Sequence, residues 1–382
     1  MGNGRLSLPA GVRDMLPEEA ARVRQLENVL VHLFASWGYQ EVIPPTFEYA
    51  DTYTRKGSSQ SPGYLFRFID QEGEVVALRP EFTTPIARLV STRLNRASLP
   101  LRLFYLGNVF RYQSNVVGGQ REFRQAGLEL IGATGARADA EVVLLAAEAL
   151  LAAGLRDFHV LLGHVQITEA LLAASFAPAG IPPAREALMG KDYAGLNRMA
   201  REYGLQPETW QVRDLHGGRE VLDRLRTVLP EQGNGPAREL AEVWEALSTC
   251  GLENLLSLDL TLVRDLDYYT GMVFEIYAPG LGFPVGGGGR YDHLLEQFGL
   301  EAPATGFAIG IERLLAVMPS SPQPPAPPDY LVGGKTTGDV LAQARELRRQ
   351  GYQVELLAAG ISREQAREAA RVKGAKELCY LD

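Results

Sequence analysis

Several groups of residues have types and spacings suited to chemistry. Leu101 to Tyr112 and Glu122 to Ile131 read as strands joined by a polar, glycine-containing loop over Ser114 to Gln120. Apolar and polar residues alternate in both, as in an antiparallel hairpin. Alternation puts residues two apart on one face. Arg111 and Gln113 therefore share a face, as do Phe123, Gln125, Gly127 and Glu129 on the partner strand. An Arg, a Gln and a Glu on one sheet surface suit a zwitterion, Arg pairing with its carboxylate and Glu with its ammonium. Charge-assisted bonds of this kind contribute roughly 1.5–3 kcal/mol each when shielded from water. Gly127 leaves backbone open to an approaching ligand. The same pattern also describes a solvated outer face, and alternation alone does not separate the two.

Three further segments carry such groups. Arg264-Asp-Leu-Asp-Tyr268-Tyr269 ends a strand and enters a tight Thr270-Gly271 turn, which suits either ligand contact or a surface hairpin with edge tyrosines. Gly286 to Gly289 lead into Arg290-Tyr-Asp. Glycines before a helix can cradle an anion, though this run is neither a Walker nor a Rossmann pattern and equally suits a strand bend. Glu312 and Arg313 follow a glycine-rich strand. The five histidines are scattered, and Cys250 and Cys379 stand 129 positions apart. Neither set has a metal-binding spacing, so no metal is expected and the thiols read as free in a reducing cytoplasm.

The elements that must position these groups follow from periodicity. Pro17-Glu18-Glu19 opens a helix whose stripe is Val23, Leu26, Leu30, Leu33, Phe34 and Trp37, with Gly38 as its stop. Glu41 begins a short strand. Glu74 to Leu78 reads as a strand, Thr83 to Leu94 and Asp139 to Ala153 as helices. Thr168 to Gly251 reads as helical, broken at Gly180-Ile-Pro-Pro, His216-Gly-Gly and Gly233-Asn-Gly-Pro, and is taken as a helical insertion over about 168–255. Strands are expected at Leu258–Arg264 and Met272–Tyr277, a helix at Arg290–Phe298, and a strand at Gly306–Gly310 entering the helix with Glu312 and Arg313. Six prolines in residues 319–328 make a stiff spacer. Residues 329–382 then alternate strand, helix, strand, helix, strand, a small α/β unit with a largely parallel sheet. The expected domains are thus 1–318, a linker over 319–328, and 329–382.

Composition sets outer bounds. The chain has 382 residues, enough for two or three domains, and 46% hydrophobic with 22% charged residues describes a globular protein. Lys and Arg total 38 against 46 acids, a net charge of −8. That balance disfavours a chain built mainly to hold nucleic acid. Five lysines against 33 arginines suggest a GC-rich genome, so arginine alone is weak evidence of function. No signal peptide or apolar run near the ~20 residues of a membrane helix is evident, and a cytoplasmic location is expected.

Taken together, LPAGVRDMLP (8–17), LRPEFTTPIARLV (78–90), RLFYLGNVFRYQ (102–113), REFRQAGLELIG (121–132), LVRDLDYYTGMVFEIY (262–277), GGGGRYDHLLEQFG (286–299) and TGFAIGIERLL (305–315) resemble the class II aminoacyl-tRNA synthetases, and within them histidyl-tRNA synthetase. The resemblance implies an α+β fold: an antiparallel sheet flanked by helices, a helical insertion and a small C-terminal α/β unit. It also implies a histidine pocket. Glu81 falls where the family holds the ammonium, with Thr83 two places on, and Arg111 matches the arginine of the second motif. Gln125 and Glu129 match the pair that reads the ammonium and imidazole. Arg264 matches the histidine-branch arginine, and Tyr268 and Tyr269 the tyrosines beside the imidazole. Arg313 matches the third-motif arginine that grips ATP.

Departures from that pattern bear on function. Phe82 stands where histidyl synthetases have glycine, and its ring is expected to fill space used in adenylation. Gln113 replaces an acid of the second motif, leaving it and Arg313 as a relict ATP site. Ser114 replaces the arginine that usually follows, and Asp265 replaces a glycine, adding negative charge near a triphosphate. The C-terminal unit is short for an anticodon-binding domain. The chain is similar to a paralogous family that fits these changes, the regulatory subunits of ATP phosphoribosyltransferase (HisZ). The resemblance implies a non-catalytic, self-associating partner of the short-form catalytic subunit (HisG). That subunit condenses ATP with phosphoribosyl pyrophosphate in the first step of histidine biosynthesis. Histidine is the implied ligand, without cofactor, membrane or tRNA binding. A shortened histidine-activating synthetase is the alternative.

Overall fold

The apolar stripe after Pro17 forms α1 (Pro17–Ser36), which buries Val23, Leu26, Leu30 and Phe34. Gly38, at a φ of +81°, turns the chain out of the helix. This computed structural model describes residues 7–54, 62–112, 120–202, 215–228, 234–262, 268–318 and 327–382. The chain divides into two compact units, residues 1–14 with 22–319, and residues 15–21 with 320–382.

In the larger unit β1 (Gln40–Glu41) precedes a small antiparallel sheet of β2 (Phe47–Tyr49), β3 (Arg67–Ile69) and β4 (Val75–Leu78), with β4 central. After the Arg79-Pro80-Glu81 corner comes α2 (Thr83–Arg93). The expected hairpin is β5 (Leu101–Phe110) and β6 (Glu122–Ile131), antiparallel throughout, so Arg111 lies just past the strand end. Next come α3 (Gly135–Ala152), β7 (His159–His164), α4 (Val165–Ser175), α5 (Ile181–Met189) and α6 (Tyr193–Glu202). Then follow β8 (His216–Gly217), α7 (Glu220–Val228), α8 (Asn234–Thr249), β9 (Leu256–Asp259) and β10 (Met272–Tyr277). The unit ends with β11 (Gly286–Arg290), β12 (Ala304–Gly310) and α9 (Ile311–Val317).

Nine strands form one sheet in the order β1-β5-β6-β12-β11-β10-β7-β9-β8. Its centre is antiparallel, and β1–β5 and β7–β9 are parallel. On one face Phe34 of α1 meets Phe104 and Phe307, with ring centroids 5.6 and 5.9 Å away. On the other, α2 packs through Phe82 and Ile86 with Tyr105, Tyr268 and Tyr291 in one apolar cluster.

Three expectations change, and one break is located. The glycine run is an interior strand rather than the lead-in to a helix at Arg290. Its bare backbones let β10 and β12 approach, since a Cβ at Gly288 or Gly289 would come within 3.0 Å of neighbouring backbone. Only Leu295–Phe298 is helical beyond it, as a 3-10 turn. The break expected at Gly180-Ile-Pro-Pro is present, since α4 ends at Ser175, Pro178–Gly180 forms a 3-10 turn and α5 starts at Ile181. Pro182 and Pro183 occupy the first turn of α5, where a missing N–H costs nothing. His216-Gly-Gly is more than a break, because β8 pairs with β9 at the sheet edge. The strand expected to reach Arg264 stops at Asp259, whose carboxylate takes the Thr261 N–H and hydroxyl in a turn.

The smaller unit matches its periodicity. β13 (Tyr330–Gly334) lies between β14 (Val354–Leu356) and β15 (Glu377–Leu381), parallel to both. The connections are α10 (Thr337–Arg349) and α11 (Arg363–Lys373). A small core of Val332, Val340, Ala344 and Leu347 holds it together, and Ser362 with Gln365 forms a capping box on α11. Of the proline-rich linker, residues 319–326 lie outside the described residues. Among the described residues no helix is long and apolar enough to cross a membrane.

Candidate functional site

One cleft of the large sheet gathers eight of the expected residues: Glu81, Thr83, Arg111, Gln125, Glu129, Tyr268, Tyr269 and Arg313. Its empty space, counted with the solvent at its open mouth, is about 700 Å³. Arg264 and Gln113, with Asp265 and Ser114, lie outside the described residues.

Strand register explains how the polar pair reaches the cleft. Gln125 and Glu129 are four apart on β6, and Gly310 and Gly306 stand directly opposite them on β12. The glycines keep this surface clear. A Cβ on Gly306 would fall on the Glu129 carboxylate and the Leu128 carbonyl, closer than real Cβ atoms come. Glu129 is buried at 1% exposure. Its Oε1 accepts from the Thr83 hydroxyl at 2.8 Å, and its Oε2 accepts from the Tyr291 hydroxyl. Burial pushes its carboxyl up to about 8, the two hydroxyls oppose that rise, and the nearby Glu81 charge adds to it. Gln125 lines the cleft, and its Oε1 is buried without a protein hydrogen bond.

Glu81 sits in the corner between β4 and α2. Its carboxylate accepts the Thr84 N–H, with oxygens at 3.1 and 3.2 Å, at the positive end of α2. Burial nonetheless raises its pKa, against the helix N–H groups and Arg111. Arg111 is aimed at the same corner. Its Nε donates to the Pro80 carbonyl at 2.8 Å and its guanidinium lies over Phe123. Two buried carboxyls in one cleft favour a cationic ligand group there. Tyr105, Tyr268 and Tyr291 are all buried, and burial lifts their hydroxyls well above the ordinary value, so they act as neutral hydrogen-bonding groups. At the far end Arg313 stacks on Phe283 and donates to the Pro284 carbonyl at 2.8 Å.

Two expectations about this surface are corrected. Gly127 does not open backbone to a ligand. Its cross-strand partner is Tyr105, whose ring occupies the space where a Cβ would stand. Phe82 does not project into the cleft either. Its ring is 1% exposed, stacked on Tyr105 at 4.3 Å with the Arg79 guanidinium 4.2 Å from its centroid. It supports the cleft floor from within the core. Tyr291 and Tyr105 are site residues that sequence reasoning missed. Tyr291 carried no signal in the sequence, since its place on the Glu129 side follows from the pairing of β11 and the residue after Arg290 with β12.

The fold is that of a class II synthetase-type domain, and residues 11–314 match the histidyl-tRNA synthetase family model. A histidyl-tRNA synthetase from Nostoc sp. PCC 7120 has the same fold, with a TM-score of 0.80 at 23% identity, covering 98% of this chain and 90% of that one. A crystal structure titled as an ATP phosphoribosyltransferase regulatory subunit/histidyl-tRNA synthetase, from Bacillus halodurans, aligns over 100% of both chains with a TM-score of 0.88 and 32% identity. The ATP phosphoribosyltransferase regulatory subunit of Moorella thermoacetica is 48% identical over 97% of this chain and 96% of its own length. The chain belongs to the family of ATP phosphoribosyltransferase regulatory subunits.

Proposed function

We propose that the chain serves an ATP phosphoribosyltransferase as its non-catalytic, histidine-responsive subunit. It assembles in a hetero-oligomer with a short-form catalytic subunit, and that partner joins ATP to phosphoribosyl pyrophosphate. The observation that carries this reading is the end-to-end match to the Moorella regulatory subunit, which extends through the short C-terminal unit. The cleft supports histidine as the ligand. Glu81 suits its ammonium and Arg111 its carboxylate. Glu129 and the tyrosines around it suit a polar aromatic ring, and Gln125 offers an unpaired acceptor. These charged and polar groups converge on one ligand-sized space, as recognition of a small molecule requires.

The test is co-expression with a short-form catalytic subunit, followed by co-purification and an assay of phosphoribosyl-ATP formation with and without histidine. Expected are a stable complex, activity exceeding that of the catalytic subunit alone, and inhibition by histidine. A parallel assay follows histidine-dependent exchange of pyrophosphate into ATP by the isolated chain, where no exchange is expected. Robust exchange without association would favour a histidine-activating synthetase.

A further inference from the structure

The tyrosines of the cleft are tied together from behind. Tyr268 and Tyr269 precede β10, and Tyr291 follows β11. The Tyr268 ring lies 4.8 Å from Tyr269 and 5.4 Å from Tyr291, centroid to centroid. Thr270 joins the two segments. Its N–H donates to the Arg290 carbonyl at 2.8 Å, and its hydroxyl accepts the Asp292 N–H at 3.0 Å. Tyr291 is thereby held between two residues that both bond to Thr270.

Arg290 turns to the opposite face of the sheet. It is 6% exposed. Its Nε donates to Asp139 Oδ2 at 3.1 Å, and its Nη2 lies 2.8 Å from Asp139 Oδ1. Its Nη1 donates to the Ala133 carbonyl and to Asp292 Oδ1, both at 3.1 Å. Asp139 belongs to α3, and Ala133 to the turn before it. Gly271 makes room for the Arg290 stem, since a Cβ there would stand 2.9 Å from Arg290 Cδ. A buried ion pair of this kind is costly to break from one side, which couples the elements it joins.

We propose that Thr270 is a positioning residue for ligand binding, and that the Asp139–Arg290 pair beneath it makes the cleft tyrosines and the start of α3 respond together. This rests on reading the cleft as a histidine site. Ligand occupancy would then be felt at α3, which packs against α8 of the helical insertion.

Three variants of the full chain test this, with histidine titrations by calorimetry and hydrogen–deuterium exchange. Thr270→Val keeps the shape but leaves the Asp292 N–H unbonded, and it weakens histidine binding by about fivefold or more. Thr270→Ser keeps the hydroxyl and retains affinity within about twofold. In ligand-free protein, exchange over residues 268–272 quickens in Thr270→Val and is unchanged in Thr270→Ser. Histidine slows exchange in the first turns of α3 in the wild type and fails to do so in Asp139→Asn. Wild-type affinity and exchange in Thr270→Val would overturn the positioning role, as would equal losses in Thr270→Ser. Slowing of α3 by histidine in Asp139→Asn would overturn the coupling. A wild type that binds no histidine would sink the reading of the cleft instead, while the ligand-free exchange comparison still decides whether Thr270 holds the tyrosines.

Discussion

Glu129→Gln should stabilise the ligand-free chain at neutral pH while weakening its histidine binding. The Glu129 carboxyl moves from an ordinary 4.5 to about 8 on burial. Between these values the native state keeps the proton and the unfolded chain releases it. The native state binds more protons, so stability falls as pH rises through that window and levels off above it. Each pH unit is worth about 1.4 kcal/mol, so the cost at pH 7 is roughly 3 kcal/mol relative to pH 4.5. Glutamine has the same shape and does not ionise. Its oxygen can accept the Tyr291 hydroxyl, and its nitrogen can donate to Thr83 Oγ1. Glu81 is raised in the same sense and keeps its own slope in the variant. Urea unfolding of both proteins at steps from pH 4.5 to 8 measures the difference. The variant should gain up to roughly 3 kcal/mol at pH 7, shrinking toward zero at pH 4.5. It should also lose histidine affinity about tenfold or more, because a ligand cation that displaces the Glu129 proton gains a charge-assisted bond that glutamine cannot form. Parallel stability curves across the window would refute the argument from burial.

Other consequences are separable. Gly306→Ala should lose histidine binding and about 1–3 kcal/mol of stability by overpacking, whereas Gly310→Ala should be milder because its Cβ meets the flexible Arg313 side chain at 3.1 Å. Calorimetry and melting curves read both, and normal affinity in Gly306→Ala would argue against a role for Glu129. With a net charge of −8, the chain should bind little tRNA at moderate salt in filter binding, and tight, salt-sensitive selection of histidine tRNA would contradict this. A chain ending at Met318 keeps every strand of the large sheet and should bind histidine as the full chain does, and a loss beyond about tenfold (~1.4 kcal/mol) would place part of the site outside that sheet.

What the sequence revealed depended on how local the governing physics is. The hairpin of β5 and β6, the α1 stripe and the strand–helix alternation after residue 329 are local periodicities, and each was legible. The glycine run was not, because glycine carries no hydropathy pattern. Its strand character comes from neighbours distant in sequence, β10 and β12, which pack where side chains would stand. The polar set of the cleft came from alternation and from family resemblance. Neither could show that Tyr105 covers Gly127 or that Phe82 turns inward, since both facts depend on which ring crosses which strand.

The polar groups of the cleft cost the fold stability. Glu81 and Glu129 are buried together, Gln125 keeps an unpaired acceptor, and the two carboxyls each rise in pKa on burial. Apolar or amide side chains there would serve stability better. A ligand bringing an ammonium and a hydrogen-bonding ring would relieve all three groups at once, so binding should strongly favour the form in which they are correctly placed. That placement is set by Thr83 on α2, Gly306 on β12 and Tyr291 beyond β11. Through Arg290 and Asp139 the last of these continues into α3 on the other face of the sheet. A cleft that buries two carboxyls and is fastened to a helix behind it fits the proposed ligand-responsive role, which needs binding energy that differs between two arrangements and a contact through which a partner could sense the difference.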